Sequence, residues 1–390
     1  MIHMRRPFKR AAACAIDAVL AMFAPLLTKG SPSAAIPAAP RVLLVRCDHI
    51  GDAAMATAVL KPLRDALRPS RLDVLAAPWA CQVFETHPLV DRVWSVSAPW
   101  WSAARGVRWP ARLRQWARLP GIIWRIRAQK YDVGIDLRGD LRHITFFLAL
   151  GGMPVRVSSD RTGGRRLLTH LWPFQDSLHE VEKNFAVAAL LGATGQPRMD
   201  VVATDSIPAW LQSLLSTPEF ERGYVVFALR GSALKRSWTS EHAAELADLL
   251  RDHLGLGSVY VGSASDETFA QAVVKAAGAT VVNLAGRTTI EETIAVLHGA
   301  KATIAVDSGP MHLAAGVGSP VVALFGPSDP GAFRPWTERA RIVSSNAPCV
   351  CVGEQCSVRA GAGDCMQQIS AERVFRAVQD VLQAEDIVTP

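Results

Sequence analysis

The sequence predicts an α/β protein built from two doubly wound parallel sheets. Three observations predict it. The chain has 390 residues and is 49% hydrophobic, longer than one hydrophobic core usually serves, so two domains are expected. Short apolar runs alternate with helix-patterned stretches, which implies parallel strands joined by right-handed crossovers. The alternation pauses between about residues 196 and 221, where Pro197, Pro208 and Pro218 interrupt it, and then begins again.

Each element follows from its local pattern. Arg41–Arg46 (R-V-L-L-V-R) is an apolar run of buried-strand type, and residues 53–67 have helical spacing. A strand at 72–76, a helix near 79–86 and a strand at 92–96 come next, then strands at 132–137 and 155–158. After the pause, strands fall at 224–229, 258–262, 280–284, Ala302–Val306 and 320–325. Helical patterns separate them, at about 240–253, 266–277, 290–300 and 309–315, and a last helix fits 371–384. The expected division is a basic segment with linker at 1–40 and a first Rossmann-like domain at 41–200. A linker at 201–221, a second Rossmann-like domain at 222–368 and a C-terminal helix and tail at 369–390 complete it.

The formal net charge is +7, a basic excess that suits nucleic acid, anionic lipid or a phosphorylated substrate. Seven cysteines without paired spacing through the chain read as a reduced, cytosolic protein. Arg5, Arg6, Lys9 and Arg10 precede an apolar run at 11–27, in which Ile16, Val19, Leu20, Phe23 and Leu27 share one helical face. The favoured reading is a helix lying in the plane of an anionic membrane surface. A cleaved signal, a true span and a packing helix are the alternatives. Residues 28–40, rich in Pro, Ala and Ser, read as a flexible linker.

Ligands of open parallel sheets sit beyond the carboxyl ends of the strands, so the turns after strands carry the chemistry. One such turn is I-A-V-D-S-G-P-M-H-L-A-A. Asp307 or Ser308 can cap the helix that follows, Gly309 permits close approach of a ligand, and Pro310 suits the first helical turn. Free N–H groups there, with Met311 and His312 on the same turn, suit a phosphate or diphosphate; a capped crossover helix without ligand is the plain alternative. The turn at 47–52 places Gly51 and Asp52 at the start of a helix. Asp52 is either an N-cap or a general base. The loop 230–238 carries Ser232, Lys235 and Arg236, cations able to neutralise a departing diphosphate. Asp266 and Glu267 follow the next strand and could hold ribose hydroxyls or simply favour the helix dipole.

Two of these segments resemble the bacterial ADP-heptose:lipopolysaccharide heptosyltransferase family. They are R-V-L-L-V-R-C-D-H-I-G-D-A-A-M near the start and D-S-G-P-M-H-L-A-A followed by P-V-V-A-L-F-G-P-S-D-P near the end. The resemblance spans about residues 41–382. It implies the GT-B type of fold, two Rossmann-like domains facing across a cleft, and inverting sugar transfer from ADP-heptose without a metal or other cofactor. It places the catalytic base on Asp52, of the I-G-D triplet; Gly51 beside it, an acceptor-binding candidate, would let the bound acceptor or donor come close. It also implies a basic residue two positions before Trp238, usually lysine. Here that position is Arg236, with Lys235 its neighbour, and arginine retains the capacity to grip phosphate.

From residue 92 to 131 there is no acidic residue, while Arg92, Arg112, Arg114, Arg118, Arg125 and Arg127 alternate with Trp94, Trp100, Trp116 and Trp124. This mixture suits the interface of an anionic membrane or a phosphorylated, lipid-anchored sugar chain; a solvated basic helix is the plain alternative. Arg138, Arg142 and Arg165 extend the basic character and are the acceptor-binding candidates. The expected partners are thus a nucleotide-sugar donor, a phosphorylated glycolipid acceptor and the inner face of the cell membrane. Nucleic acid is not expected, since no nucleic-acid motif accompanies the charge. Cys349, Cys351, Cys356 and Cys365 could hold a structural metal, pair as a disulfide or stay as thiols, but Cys-x-Cys spacing is awkward for zinc.

Overall fold

The structure, a computed structural model, describes residues 35–100, 109–204, 208–231, 236–345 and 364–386. The chain divides into two compact units, Met1–Met199 and Asp200–Pro390. The first contains β1 (Arg41–Arg46), β2 (Arg71–Ala76), β3 (Arg92–Ser95), β4 (Val133–Asp136), β5 (Val155–Ser159) and β6 (His170–Trp172). These form one parallel sheet in the order β3-β2-β1-β4-β5-β6. The second contains β7 (Tyr224–Ala228), β8 (Gly257–Tyr260), β9 (Val281–Asn283), β10 (Ala302–Val306), β11 (Val321–Phe325) and β12 (Ala340–Ser344). Their order, β12-β11-β10-β7-β8-β9, repeats the first unit's arrangement when strands are counted from its own start.

The central strands are buried and mostly apolar, as expected of parallel strands covered on both faces. Val42, Leu43, Leu44 and Val45 of β1 are fully buried, as are Ala302, Ile304 and Val306 of β10. In each sheet the strand order reverses at its centre, between β1 and β4 in one unit and between β7 and β10 in the other. In folds of this kind ligands bind beyond the carboxyl ends of the strands at such a reversal.

Several elements differ from the expectation. β6 and β12 were not foreseen, since each is an edge strand with few buried residues and lacks the apolar run that marks an inner strand. The stretch 201–221, expected as a linker, contains the helix Ala209–Leu215 and a single turn at Pro218–Phe220, with Leu211 and Phe220 buried. The C-terminal helix, at Ala371–Asp386, packs in the second unit's core and buries Val374, Val378 and Val381. The basic, tryptophan-rich stretch forms the helix Trp109–Ala128, which buries Leu119 and Ile126 against the first sheet's core. Among the described residues no helix is long and apolar enough to cross a membrane. Of the expected membrane-surface segment and linker at 1–40, residues 1–34 lie outside the described residues.

Candidate active site

In the first unit the site is built around Arg46, the last residue of β1. Its guanidinium is almost wholly buried, at 1% exposure, so its charge must be matched within the protein. Nε lies 3.2 Å from Asp48 Oδ2, and one terminal nitrogen lies 2.8 Å from Asp52 Oδ1 and 3.8 Å from Glu180 Oε2. The other donates to Asn184 Oδ1 at 3.1 Å. Glu180 and Asn184 come from the helix Glu180–Ala189, where spacing of four places both on one face. Lys183 Nζ, one turn along, sits 2.9 Å from Glu180 Oε1.

Asp52 stands in the first turn of the helix Ile50–Ala56. Its second oxygen accepts from the His49 backbone N–H at 3.3 Å, which makes the capping contact and leaves the first oxygen on Arg46. Burial works to raise the Asp52 pKa, but the Arg46 charge and the His49 side prevail and hold it below the ordinary carboxylate value. About a fifth of its side chain reaches solvent, which a proton-accepting group requires. Asp48 differs. It is pinned between Arg46 and the Arg138 guanidinium and has almost no exposure, so it serves to place those two arginines.

The loop after β4 faces the loop after β1. Arg142 forks onto Asp140 with bonds of 2.8 and 2.6 Å, and Arg138 Nε lies 3.6 Å from the same carboxylate. Burial again opposes ionisation of Asp140, yet Arg142, His143 and Arg138 drive its pKa down strongly. Burial and the neighbouring arginines lower Arg138 to about 10, so it stays charged at neutral pH. Arg138 and Arg142 remain more than a third exposed on their side chains, and Arg165, in the turn Arg165–Leu167, is exposed. His179 caps its helix by accepting from Val181 N–H at 3.1 Å. Gly51 is buried in the first turn beside Asp52.

In the second unit, β10 ends at Val306 and the helix Gly309–Gly316 follows with Ser308 as N-cap residue. The side-chain cap expected of Ser308 or Asp307 is not made. Ser308 Oγ turns back and donates to the Val306 carbonyl at 3.0 Å, so the first helical N–H groups are left for another acceptor. Asp307 pairs with Arg236 at 3.2 Å, and His312 Nε2 lies 4.0 Å from its other oxygen. That pair joins the loops after β7 and β10, at the point where the sheet reverses. Met311 and His312 are buried, so Met311 can offer a ligand only its backbone. Pro310 contributes no N–H.

Asp266 spends its Oδ2 on the Ser263 backbone and hydroxyl at 2.8 and 2.9 Å, while Oδ1 lies 3.6 Å from Arg230. Glu267 accepts from Asn283 Nδ2 at 3.1 Å. Gly286 has φ +70°, and a Cβ there would meet the Ala264 Cα at 2.7 Å; only glycine lets the loops after β8 and β9 close together. Ser232, Lys235, Cys349, Cys351 and Cys356 lie outside the described residues. Cys365 is buried beneath Gly326.

Arg46, Glu180 and Asn184 were not foreseen as site residues. The signal for the first was present: an arginine closing an otherwise apolar buried strand must be paired. Its partner Asn184 is 138 positions away, a distance that local pattern does not bridge.

Comparisons with known proteins agree with this architecture. The profile of glycosyltransferase family 9 (heptosyltransferase) matches residues 122–360. The chain is 25% identical over 365 residues to lipopolysaccharide heptosyltransferase 1 of Pseudomonas aeruginosa, covering 89% of this chain and 99% of that one. To lipopolysaccharide heptosyltransferase 2 of Escherichia coli it is 26% identical over 326 residues, covering 78% and 87%. Among solved structures, the ADP-heptose lipopolysaccharide heptosyltransferase II of E. coli superposes with a TM-score of 0.71 at 22% identity, covering 89% of this chain and 99% of that one. A family 9 glycosyltransferase from Veillonella parvula gives 0.73 at 21% identity, covering 88% and 97%. The E. coli heptosyltransferase solved with ADP gives 0.66 at 23%, covering 87% and 99%. At those identities the solved structures establish the fold, the two Rossmann-like units of the GT-B type. The profile covers well over half of the 390 residues, and the chain therefore belongs to glycosyltransferase family 9, the heptosyltransferases.

Proposed function

We propose that this glycosyltransferase moves a heptose from ADP-heptose to the core of a lipopolysaccharide, a phosphorylated glycolipid, at the cytoplasmic face of the inner membrane. The relatives carry the choice of sugar and acceptor. Each is named a lipopolysaccharide heptosyltransferase, and the P. aeruginosa protein is matched over 99% of its length. Asp52 takes the proton of the acceptor hydroxyl as that oxygen attacks the anomeric carbon. A positioned base of this kind contributes about 10²–10⁴-fold. The C–O bond to ADP breaks as the new bond forms, so a single displacement inverts the anomeric centre.

The leaving diphosphate gains negative charge. Arg236 and the N–H groups at the start of the helix Gly309–Gly316 stabilise it, together with Lys235 and Ser232 of the same loop. Charge stabilisation by these groups is the basis for proposing transfer without a metal or other cofactor. Asp266 or Glu267 holds the ribose, and Arg138, Arg142 and Arg165 meet phosphates of the acceptor. A low Asp52 pKa limits its strength as a base but keeps it ionised, and Arg46 fixes its direction.

The test is mass-spectrometric detection of transfer from ADP-heptose to lipopolysaccharide truncated in its inner core. The wild-type chain should add one heptose, and Asp52→Asn should lose at least 10²-fold in kcat/KM. Equal turnover by Asp52→Asn would remove the base assignment. Transfer from a UDP- or GDP-hexose in preference to ADP-heptose would remove the donor assignment.

A further inference from the structure

The helix Trp109–Ala128 has two apolar stripes, and the core uses only one. Its inner stripe, Leu119, Ile122 and Ile126, packs on the first sheet. At 100° per residue, Leu113, Ala117, Pro120, Gly121, Trp124 and Ala128 lie together on the opposite side, and all six are exposed. No charge interrupts that ridge. Arg114, Arg118 and Arg125 line one flank, while Trp116 and Arg127 line the other, all exposed. Among the described residues, three of the five exposed large hydrophobic side chains are on this helix: Leu113 at 54%, Trp116 at 45% and Trp124 at 70%. Trp116 is held in place from below, with its ring 5.8 Å from Trp100 and 6.2 Å from Phe146. No acidic residue occurs between positions 92 and 131.

A soluble helix keeps its outer face polar. This one instead presents an uncharged ridge, indoles and flanking arginines, the pattern of a helix seated in a lipid interface. We propose that the helix Trp109–Ala128 is a docking surface for anionic phospholipid, lying parallel to the bilayer with Leu113 and Trp124 inserted and the arginines on headgroup phosphates. Charge selects this occupant. A second copy of the chain would bring arginine against arginine, whereas an anionic bilayer neutralises them. The inference shares with the proposed function only the premise that the acceptor resides in a membrane.

The experiment is flotation of the full-length protein with vesicles of phosphatidylcholine, alone or mixed with phosphatidylglycerol. Wild-type protein should float with the mixed vesicles and be released by high salt. Arg114→Glu/Arg118→Glu/Arg125→Glu should lose on the order of a hundredfold in affinity, at about fivefold or more per arginine. Leu113→Ser/Trp124→Ser should also dissociate, while keeping its melting temperature and its turnover on a delipidated, water-soluble acceptor. That last readout separates failure of docking from failure of catalysis. Vesicle binding retained by both variants, or equal binding to neutral vesicles, would overturn the proposal. So would a wild-type dimer abolished by Leu113→Ser/Trp124→Ser, or tighter binding to duplex DNA than to vesicles.

Discussion

At the scale of single residues, Arg46 determines the behaviour of Asp52. One buried guanidinium faces three carboxylates, Asp48, Asp52 and Glu180, and is aided by Arg138 and Lys183. Removing its charge leaves acid groups facing each other in a poorly solvated place, a loss of about 3–5 kcal/mol. Arg46→Met should therefore lose about that much unfolding free energy, read as a lower midpoint in denaturant titration. Arg46→Lys keeps the charge but loses the multi-pronged geometry. Because Arg46 favours the ionised form of Asp52, weakening the contact raises the Asp52 pKa toward its ordinary value. The acid limb of kcat/KM against pH should then move to higher pH in Arg46→Lys. In the wild type it should fall below the usual carboxylate range, near 4. The same depressed pKa contributes stability above about pH 4 that is lost as pH falls through the folded value. An acid limb unmoved by Arg46→Lys would show that Asp52 is not the titrating group.

At the scale of elements, the helix Gly309–Gly316 separates structural capping from ligand binding. A working serine cap costs about 0.5–2 kcal/mol when replaced by alanine. Ser308 makes no such cap and bonds to the Val306 carbonyl instead. Ser308→Ala should thus change the melting free energy by less than about 0.5 kcal/mol. Arg236→Gln should leave stability similar and weaken ADP binding by roughly tenfold or more, read by calorimetry, as a charged hydrogen bond to phosphate is lost. The elements themselves were unevenly legible. β10 is as expected to the residue because Ala302–Val306 is a wholly buried run, polar only at Thr303, and is followed by the turn residues Asp307, Ser308 and Gly309. β6 and β12 escaped because edge strands are buried on fewer sides and need no such run.

At the scale of the molecule, each unit has its own core and its own strand-order reversal, and the proposed function divides the labour between them. Nucleotide contacts are proposed only in the second unit. Bound ADP should slow amide exchange in peptides covering 229–238 and 307–316, by roughly a hundredfold at ligand concentrations 100 times Kd, where linkage gives about 2.7 kcal/mol. Peptides of β1–β6 should change little. Protection centred on the first unit would reverse the assignment of donor and acceptor halves.

The sequence alone determined the fold class, the number of sheets and the position of the two key turns. Those depend on local physics: apolar runs make strands, glycine and proline make turns, and I-G-D and D-S-G-P-M-H are short and contiguous. It also showed the union of arginine with tryptophan in 92–131. Tertiary structure decided what those charges touch. It paired Arg46 with Asn184, committed Arg142 to Asp140, left the Ser308 helix without its side-chain cap, and turned Leu113 and Trp124 away from the core. The reason is physical. Burial and ion pairing are set by residues far apart in the chain, and a guanidinium takes whichever carboxylate the fold places within its reach.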